Sequence, residues 1–535
     1  MTELTGVTDG ETIISLLLRR SGELPDAPFL TFEGCGTRTY AQFQEDVTAL
    51  AGGLASVGVG PGQTVAMLLD NTLDSARMWF ATNAAGGIDA QLNTAYKQDF
   101  LAHQVNDSAA EVLVVEVGYL SRIAEIEDEL AVVKTVVCRG AVPDIAFTRL
   151  AVVPLDALRE GPPPQALPLS TDLSTLVYTA GTTGPSKGCM ISHSYVLSMA
   201  QQTVRATRLV RSDVTWTPLP MFHMNAKAGT VVGALIVGGH AAFVRRFSLS
   251  RFWEQVAAVN ATRAKMLGSM LSLVAGSSDG PPPDGAGSLD YVIGSPVTPE
   301  VARAYADRWG IRAVAPGYGL TEAAMVVTVE GLENGPAGSS GRANAEFDVR
   351  IVDDYDREVP SGQRGEIVVR PNKPGVMFSG YWRRDADTVA MLRNLWLHTG
   401  DIGRVDENGW FYFIDRKKDY LRRRGENVST FELESTFARH EAVSEVAVYG
   451  VPSALTEDEI KISVVLVEGA DATPEQLCRW SVDKLPYFAV PRYVDIRQEL
   501  PKNPFGRILK YRLRDEGITP KTWDREAADM SFERR

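Results

Sequence analysis

In the segment "AQFQEDVTALAGGLASVGV", Phe43, Val47, Leu50 and Leu54 recur at helical spacing and share one face of a helix. A Gly-Pro-Gly turn follows. The next run, "TVAMLLD" (Thr64–Asp70), is apolar at most positions, as a strand covered on both faces requires. "EVLVVE" (Glu111–Glu116) and "LSTLVYT" (Leu173–Thr179) are further short runs of strand character, separated by helical lengths. This alternation predicts α/β layers built on largely parallel sheets. The most apolar window, "AGTVVGALIVGGHAAFV" (Ala228–Val244), carries several glycines and His240, so a buried core segment is expected there and not a membrane span.

The pattern changes further along. "FDVRIVDD" and "GEIVVRP" alternate around "REVPSGQRG", which predicts a small β subdomain between Phe347 and Val369. "GPPPQALP" (Gly161–Pro168) and "GPPPDGAG" (Gly280–Gly287) read as surface loops, because proline removes donors and fixes φ. After the charged cluster "DRKKDYLRRR" the chain reads as a compact α+β unit. "EVAVYGV" and "IKISVVLV" are its strands. "TPEQLCRWSVDKL" is its helix, with Thr473 as cap, Pro474 at the first position and Gln476 closing a capping box. The expected fold class is therefore α/β, with a large N-terminal domain of layered sheets over residues 1–417 and a smaller C-terminal domain over 418–535.

A chain of 535 residues is too long for one ordinary core, which agrees with two domains. Its composition, 44% hydrophobic and 23% charged, is that of a globular protein. The net charge of −13 argues against broad, non-specific nucleic-acid binding. No basic stretch precedes the short apolar run at the N-terminus, so no secretory signal is expected. Cys35, Cys138, Cys189 and Cys478 are scattered without a C-x-x-C pair, which suits a reduced cytoplasm and offers neither a disulfide framework nor a zinc site.

"YTAGTTGPSKG" (Tyr178–Gly188) supports two chemistries. Gly181, Gly184 and Gly188 let backbone N–H groups crowd around phosphate oxygens, and Thr182, Thr183, Ser186 and Lys187 add donors and positive charge. The same letters spell G-x-S-x-G, the turn that exposes a nucleophilic serine in hydrolases. That elbow joins strand directly to helix, whereas a polar stretch separates Ser186 from the strand pattern. The order of Ser186, Lys187 and Gly188 also departs from the Walker loop. Three further segments bear on the choice. "PGYGLTEA" brings together Tyr318, able to stack on a base, Thr321, able to donate to a phosphate, and Glu322, able to hold Mg²⁺. "HTGD" and "DRKKD" contribute Asp401 and Arg416 as partners for hydroxyls or phosphate. "PKNPFGRILK" is a basic loop near the C-terminus.

Together and in this order, these segments resemble the adenylate-forming superfamily of acyl-CoA synthetases, peptide-synthetase adenylation domains and luciferases. The resemblance covers nearly the whole chain. "PLPMFHMNA" and "GVPSALTEDEIK" are most similar to carboxylate–CoA ligases of the crotonobetaine/carnitine type. The resemblance implies an ATP- and Mg²⁺-dependent enzyme that adenylates a small aliphatic or aryl acid, releases pyrophosphate and passes the acyl group to CoA. Thr182, Thr183, Gly184 and Lys187 would surround the outer phosphates. Gly294, Ser295, Pro296, Gly317, Tyr318 and Gly319 would line the adenine cleft. Thr321 would meet the α-phosphate, Glu322 would bind the metal, and Asp401 and Arg416 would hold the ribose. His223, Met270 and Met325 fall at the acid pocket, where His223 matches an aromatic gate, with a packed core side chain as the lesser alternative. Lys418 matches the hinge about which the mobile C-terminal domain turns, bringing Gly425 to the site for the second step. A cytoplasmic location and no membrane span are implied, and a homodimer is compatible with the resemblance.

One residue departs from the family pattern. Where a lysine usually follows the glycine of the last loop, this chain has Arg507, which keeps the charge but differs in reach and shape. A minority of ligase-like proteins activates nitrite for capture by an aryl amine, and guanidinium donors suit a small planar oxyanion. The sequence leaves three readings open: acid–CoA ligase, nitrite-activating diazotase, and a non-catalytic nucleotide-binding relative.

Overall fold

The helix marked by Phe43, Val47, Leu50 and Leu54 runs Tyr40–Ser56 in the computed structural model, with all four side chains buried. The Thr39 hydroxyl accepts the Gln42 N–H, and the Gln42 side chain accepts the Thr39 N–H. Two donors that a helix start leaves open are thereby satisfied. The structure describes residues 6–143, 145, 147–159, 161, 166–179, 185–277, 286–295, 297–315, 317–329, 335–336, 338–416, 420–424, 426–453, 457–502 and 508–530. Half of the first proline-rich loop (162–165) and most of the second (280–285) lie outside the described residues.

The strand Thr64–Leu68 is buried at every position and pairs in parallel with Ile88–Gln91 and Val112–Glu116. These form the middle of a seven-stranded sheet that also takes in Leu173–Thr179. A second seven-stranded sheet has His240–Phe243, Val214–Thr217, Arg263–Lys265, Tyr291–Ile293 and Arg312–Val314 in parallel neighbouring positions. Parallel strands covered on both faces need continuous apolar runs, and that is how these segments read.

Among the described residues the third seven-stranded sheet pairs antiparallel, and it is larger than the predicted β subdomain. Phe347–Val352 and Gly365–Pro371 pair as expected. The sheet also recruits Leu397–Val405, Trp410–Arg416 and the two-residue strands Gly317–Tyr318 and Val327–Thr328. Two residues are too few to show alternation, so periodicity could not find them.

The apolar window after Ala228 is buried, as predicted, and contains an unusual element. Residues Lys227–Val232 form a π-helix, followed by the helix Gly233–Val237 and the strand His240–Phe243. Wide turns of this kind are rare and occur often near functional sites. Lys227 and Asp89 are both wholly buried and form an ion pair, with the Lys227 ammonium also 3.0 Å from the Thr175 hydroxyl. The same ammonium lies 4.9 Å from the centre of the Trp79 ring, a favourable cation–π position.

The chain divides into two compact units. One comprises 1–94, 104–178 and 188–415, and the other 95–103, 179–187 and 416–535. In the smaller unit Val443–Pro452 and Asp458–Leu466 pair antiparallel, and Tyr493–Arg497 joins in parallel. The helix Pro474–Val482 carries the predicted Thr473–Gln476 capping box. Buried Arg423 donates to the carbonyls of Phe488 and Val490, and burial lowers its pKa to about 10 despite Glu459 beside it. All four cysteines are free thiols. Among the described residues no helix is long and apolar enough to cross a membrane.

Asp89→Asn should strand the Lys227 charge in a dry core and cost about 3–5 kcal/mol. Urea unfolding measures this. The double variant Asp89→Leu/Lys227→Met should recover most of the loss, because it removes both charges.

Candidate functional site

The turn after Gly317–Tyr318 carries the first cluster of expected residues. Gly317 has a φ of +152°, and a Cβ there would lie 2.0 Å from the Val327 carbonyl oxygen. A Cβ on Gly319 would lie 2.4 Å from the Met325 nitrogen. The turn therefore folds back on itself more closely than any side chain at these positions permits. Met325 itself adopts a φ of +51°, which few non-glycine residues do.

A tyrosine from a distant helix clamps this turn. Tyr195, on the helix His193–Thr207, donates its hydroxyl to the Thr321 carbonyl at 2.9 Å and accepts the Ala324 N–H at 2.7 Å. Glu322, between them, is only 6% exposed. The Tyr381 hydroxyl donates to its Oε1 at 2.7 Å, and the Cys189 thiol adds a second hydrogen bond. Burial raises the Glu322 pKa, these hydrogen bonds oppose the rise, and the nearby Asp401 charge adds to it. A lone, dehydrated carboxylate of this kind gains most from an arriving cation.

Asp401 is placed with similar care. Its N–H donates to the Thr399 hydroxyl at 3.0 Å, and that hydroxyl donates to the Ile367 carbonyl at 2.7 Å. The Gly400 N–H donates to Glu366, whose other oxygen lies 3.3 Å from His398 Nδ1. Tyr318 then donates its hydroxyl to Asp401 Oδ2 at 2.6 Å, and the Phe413 ring stacks beside the Tyr318 ring. Asp401, Tyr318 and Glu322 thus form one linked group.

Gly294 and Ser295 follow the strand Tyr291–Ile293, at the carboxyl end of the second parallel sheet, where open α/β sheets bind ligands. A Cβ on Gly294 would lie 2.5 Å from the Met266 carbonyl oxygen, and Ser295 is exposed. His223, half-buried, precedes the short helix Met224–Ala226, and Met270 lies half-buried on Gly268–Gly276. The larger unit thus supplies Gly294, Ser295, Gly317, Tyr318, Gly319, Thr321, Glu322, Asp401, His223, Met270 and Met325.

Ser186 is not placed as a hydrolase nucleophile. The strand Lys187–Ser192 follows it where an elbow needs a helix, and the residue is 3% exposed. Its N–H donates to Glu432, whose pKa burial raises to about 7. Lys187 opens that strand, and Arg416 ends Trp410–Arg416. Thr182, Thr183, Gly184, Pro296, Lys418, Gly425 and Arg507 lie outside the described residues.

Sequence reasoning missed Tyr195, Tyr381 and Cys189. Their partners stand far away in the chain, 126 residues for Tyr195–Thr321 and 59 for Tyr381–Glu322, so no local pattern marks them.

Layered parallel sheets, an antiparallel sheet and a small α+β unit define a class of α/β enzyme with a site on glycine-rich turns. Residues 17–382 match the family of AMP-binding enzymes, and 432–507 match the AMP-binding enzyme C-terminal domain. The chain belongs to this family. It is 28% identical to crotonobetaine/carnitine–CoA ligase of Escherichia coli over 485 residues, which cover 89% of this chain and 93% of the relative. The amide bond synthetase McbA of Marinactinospora thermotolerans superposes with a TM-score of 0.81 at 25% identity, covering 95% of this chain and 99% of the other. The o-succinylbenzoate CoA synthetase of Bacillus subtilis shares the fold, with a TM-score of 0.80 at 22% identity over 95% of this chain and 99% of the other.

Tyr195→Phe should leave the Thr321 carbonyl and the Ala324 N–H without their partner, lowering stability by about 1–3 kcal/mol. Thermal melts should show that loss, and the KM for ATP should rise. An unchanged KM together with a lowered melting temperature would confine Tyr195 to a purely structural part.

Proposed function

We propose that this protein is an ATP-dependent, AMP-forming ligase that adenylates a small organic acid and transfers the acyl group to CoA. The observation that carries the reading is the linked group of Tyr318 and Asp401, on strands of the antiparallel sheet, with buried Glu322 on the adjoining turn of an AMP-binding enzyme. The name of the Escherichia coli relative supports an acid as substrate and CoA as acceptor.

In the first step a carboxylate oxygen attacks the α-phosphorus of ATP, and the bond to pyrophosphate breaks. Two anions must approach, so oriented donors and positive charge have to offset their repulsion. Thr321 is assigned to the α-phosphate, Tyr318 to the adenine face, Asp401 and Arg416 to the ribose, and Lys187 with Thr182, Thr183 and Gly184 to the outer phosphates. Gly294, Ser295 and Pro296 complete the nucleotide cleft. His223, Met270 and Met325 line the acid pocket.

Glu322 fits Mg²⁺, since that ion commonly takes one or two protein carboxylates and completes its shell with phosphate oxygens and water. When bound, Mg²⁺ would neutralise developing charge on the phosphates. In the second step the CoA sulfur attacks the acyl carbon and AMP leaves. Lys418 is assigned as the hinge of the C-terminal domain, with Gly425 entering the site for this step and Arg507 serving adenylation in place of the usual lysine.

A panel of aliphatic and aryl acids with ATP and CoA should release pyrophosphate, and mass spectrometry should find thioesters. If only nitrite with an aromatic amine consumes ATP, and no acid gives a thioester, the ligase reading is rejected in favour of a diazotase. Glu322→Gln should reduce acid-dependent pyrophosphate release about 100-fold or more while thermal melts stay close to wild type. Retention of full activity would remove Glu322 from the proposed metal site.

A further inference from the structure

Two lysines with almost no solvent exposure meet the π-helical segment Lys227–Val232, and they differ in their counter-charge. Lys227 has Asp89, the Thr175 hydroxyl and the Trp79 face, so its charge is answered within the fold. Lys265, 4% exposed at the carboxyl end of Arg263–Lys265, donates to the Gly229 carbonyl. Among the described residues no carboxylate pairs with it. Its charged neighbour is Arg263, which is itself paired with Asp213. Burial, aided by that like charge, lowers the Lys265 pKa to about 7.

An ammonium has three donors, and one carbonyl uses one of them. Gly229 leaves the backbone beside it bare, and polar side chains close over that stretch. The point where a Cβ of Gly229 would stand lies 3.1 Å from Lys265 Nζ, 2.8 Å from Asn225 Oδ1 and 3.7 Å from the Thr203 hydroxyl oxygen. Three polar groups therefore converge over one bare stretch of backbone. Asn225 is exposed, so the cluster reaches solvent on that side. It also stands two residues after His223, and Lys265 immediately precedes Met266, whose carbonyl packs against Gly294. The cluster thus adjoins, along the chain, His223 of the assigned acid pocket and, through Met266, Gly294 of the assigned nucleotide cleft.

A buried charge without a partner is costly, and replacing it with an apolar residue would ordinarily stabilise a core. A plain alkyl or aryl acid gives this ammonium nothing. An acid with an anion at its far end gives it a counter-charge and, after rotation of the Asn225 amide, a second donor. We propose that Lys265, with Asn225, is a specificity site that binds a second carboxylate of the acid, remote from the one that is activated. This rests on the acid-activating reading above.

Calorimetric titration of the full-length protein compares hexanoate with adipate and benzoate with isophthalate. The wild type should bind at least one diacid about 10-fold or more tightly than its monoacid partner, the range of a charge-assisted hydrogen bond. Lys265→Met should abolish that preference and leave monoacid binding within about twofold of wild type. Lys265→Gln, which keeps a donor to the Gly229 carbonyl, guards against loss of fold and should also lose the preference. No diacid preference in the wild type, or equal losses for monoacid and diacid in both variants, would overturn the site. Pyrophosphate release with the same acids tests the ligase reading separately. Tight diacid binding without release leaves the Lys265 site standing and rejects activation, whereas release without diacid preference does the reverse.

Discussion

A carboxylate that is 6% exposed on a turn outside any helix or sheet ladder has to be held by side chains, and Glu322 is in that position. Regular structure offers its own hydrogen bonds, but an irregular buried turn leaves backbone groups that need partners from elsewhere. The Tyr195 hydroxyl meets two of them, one before and one after Glu322. Tyr381 holds the carboxylate itself and also brings the Phe378–Tyr381 segment against the turn, where the Phe378 N–H donates to the Glu322 carbonyl. Gly317 and Gly319 permit the close return of the chain that makes all of this reachable. The site is therefore a property of a helix, a turn and a distant loop acting on one acidic group.

This arrangement explains what could be read in advance and what could not. Phe43, Val47, Leu50 and Leu54 announce a helix because burial of one face imposes a period that neighbours in sequence share. The Thr473–Gln476 box is legible for the same reason: its partners are three residues apart. Glu322 and Asp401 were legible through short motifs, and the structure places both in one unit with Tyr318. Tyr195, Tyr381 and Lys265 were not, since each depends on a partner brought close only by tertiary folding. The π-helix at Lys227–Val232 was hidden too, because an apolar run reads alike in any buried helix. The smallest strands of the antiparallel sheet escaped through brevity.

Several buried cations among the described residues sit beside an acid, and Lys265 differs from them. Lys227 has Asp89, Lys461 has Asp495 at 2.7 Å, and Arg423 has Glu459 at 2.8 Å. Each pair satisfies a charge that would otherwise be expelled or neutralised in a medium of low polarity. The fold thus repeatedly places an acid where it buries a base. Among the described residues no acid pairs with Lys265; it donates to the Gly229 carbonyl, and the Asn225 amide and Thr203 hydroxyl converge on the same glycine. Simple packing would favour methionine or leucine there, and the proposed second carboxylate of the acid gives the ammonium the partner that the described residues do not.

The Tyr318–Asp401 bond shows how the same logic serves a ligand that the chain must release. A carboxylate can accept about four hydrogen bonds, and the short bond from Tyr318 takes one of them. The bond meanwhile fixes the tyrosine ring, with Phe413 stacked at 6.1 Å between centroids on one side of it. Ordering an aromatic ring costs conformational entropy, and here that cost is met on folding. Asp401 is in turn held by Thr399 and by the strand that carries Ile367, so the ring inherits its position from a sheet. Under the proposed assignments, a planar base would meet a surface already in place, and binding energy would remain for the reacting end of the nucleotide, to which Glu322 is assigned.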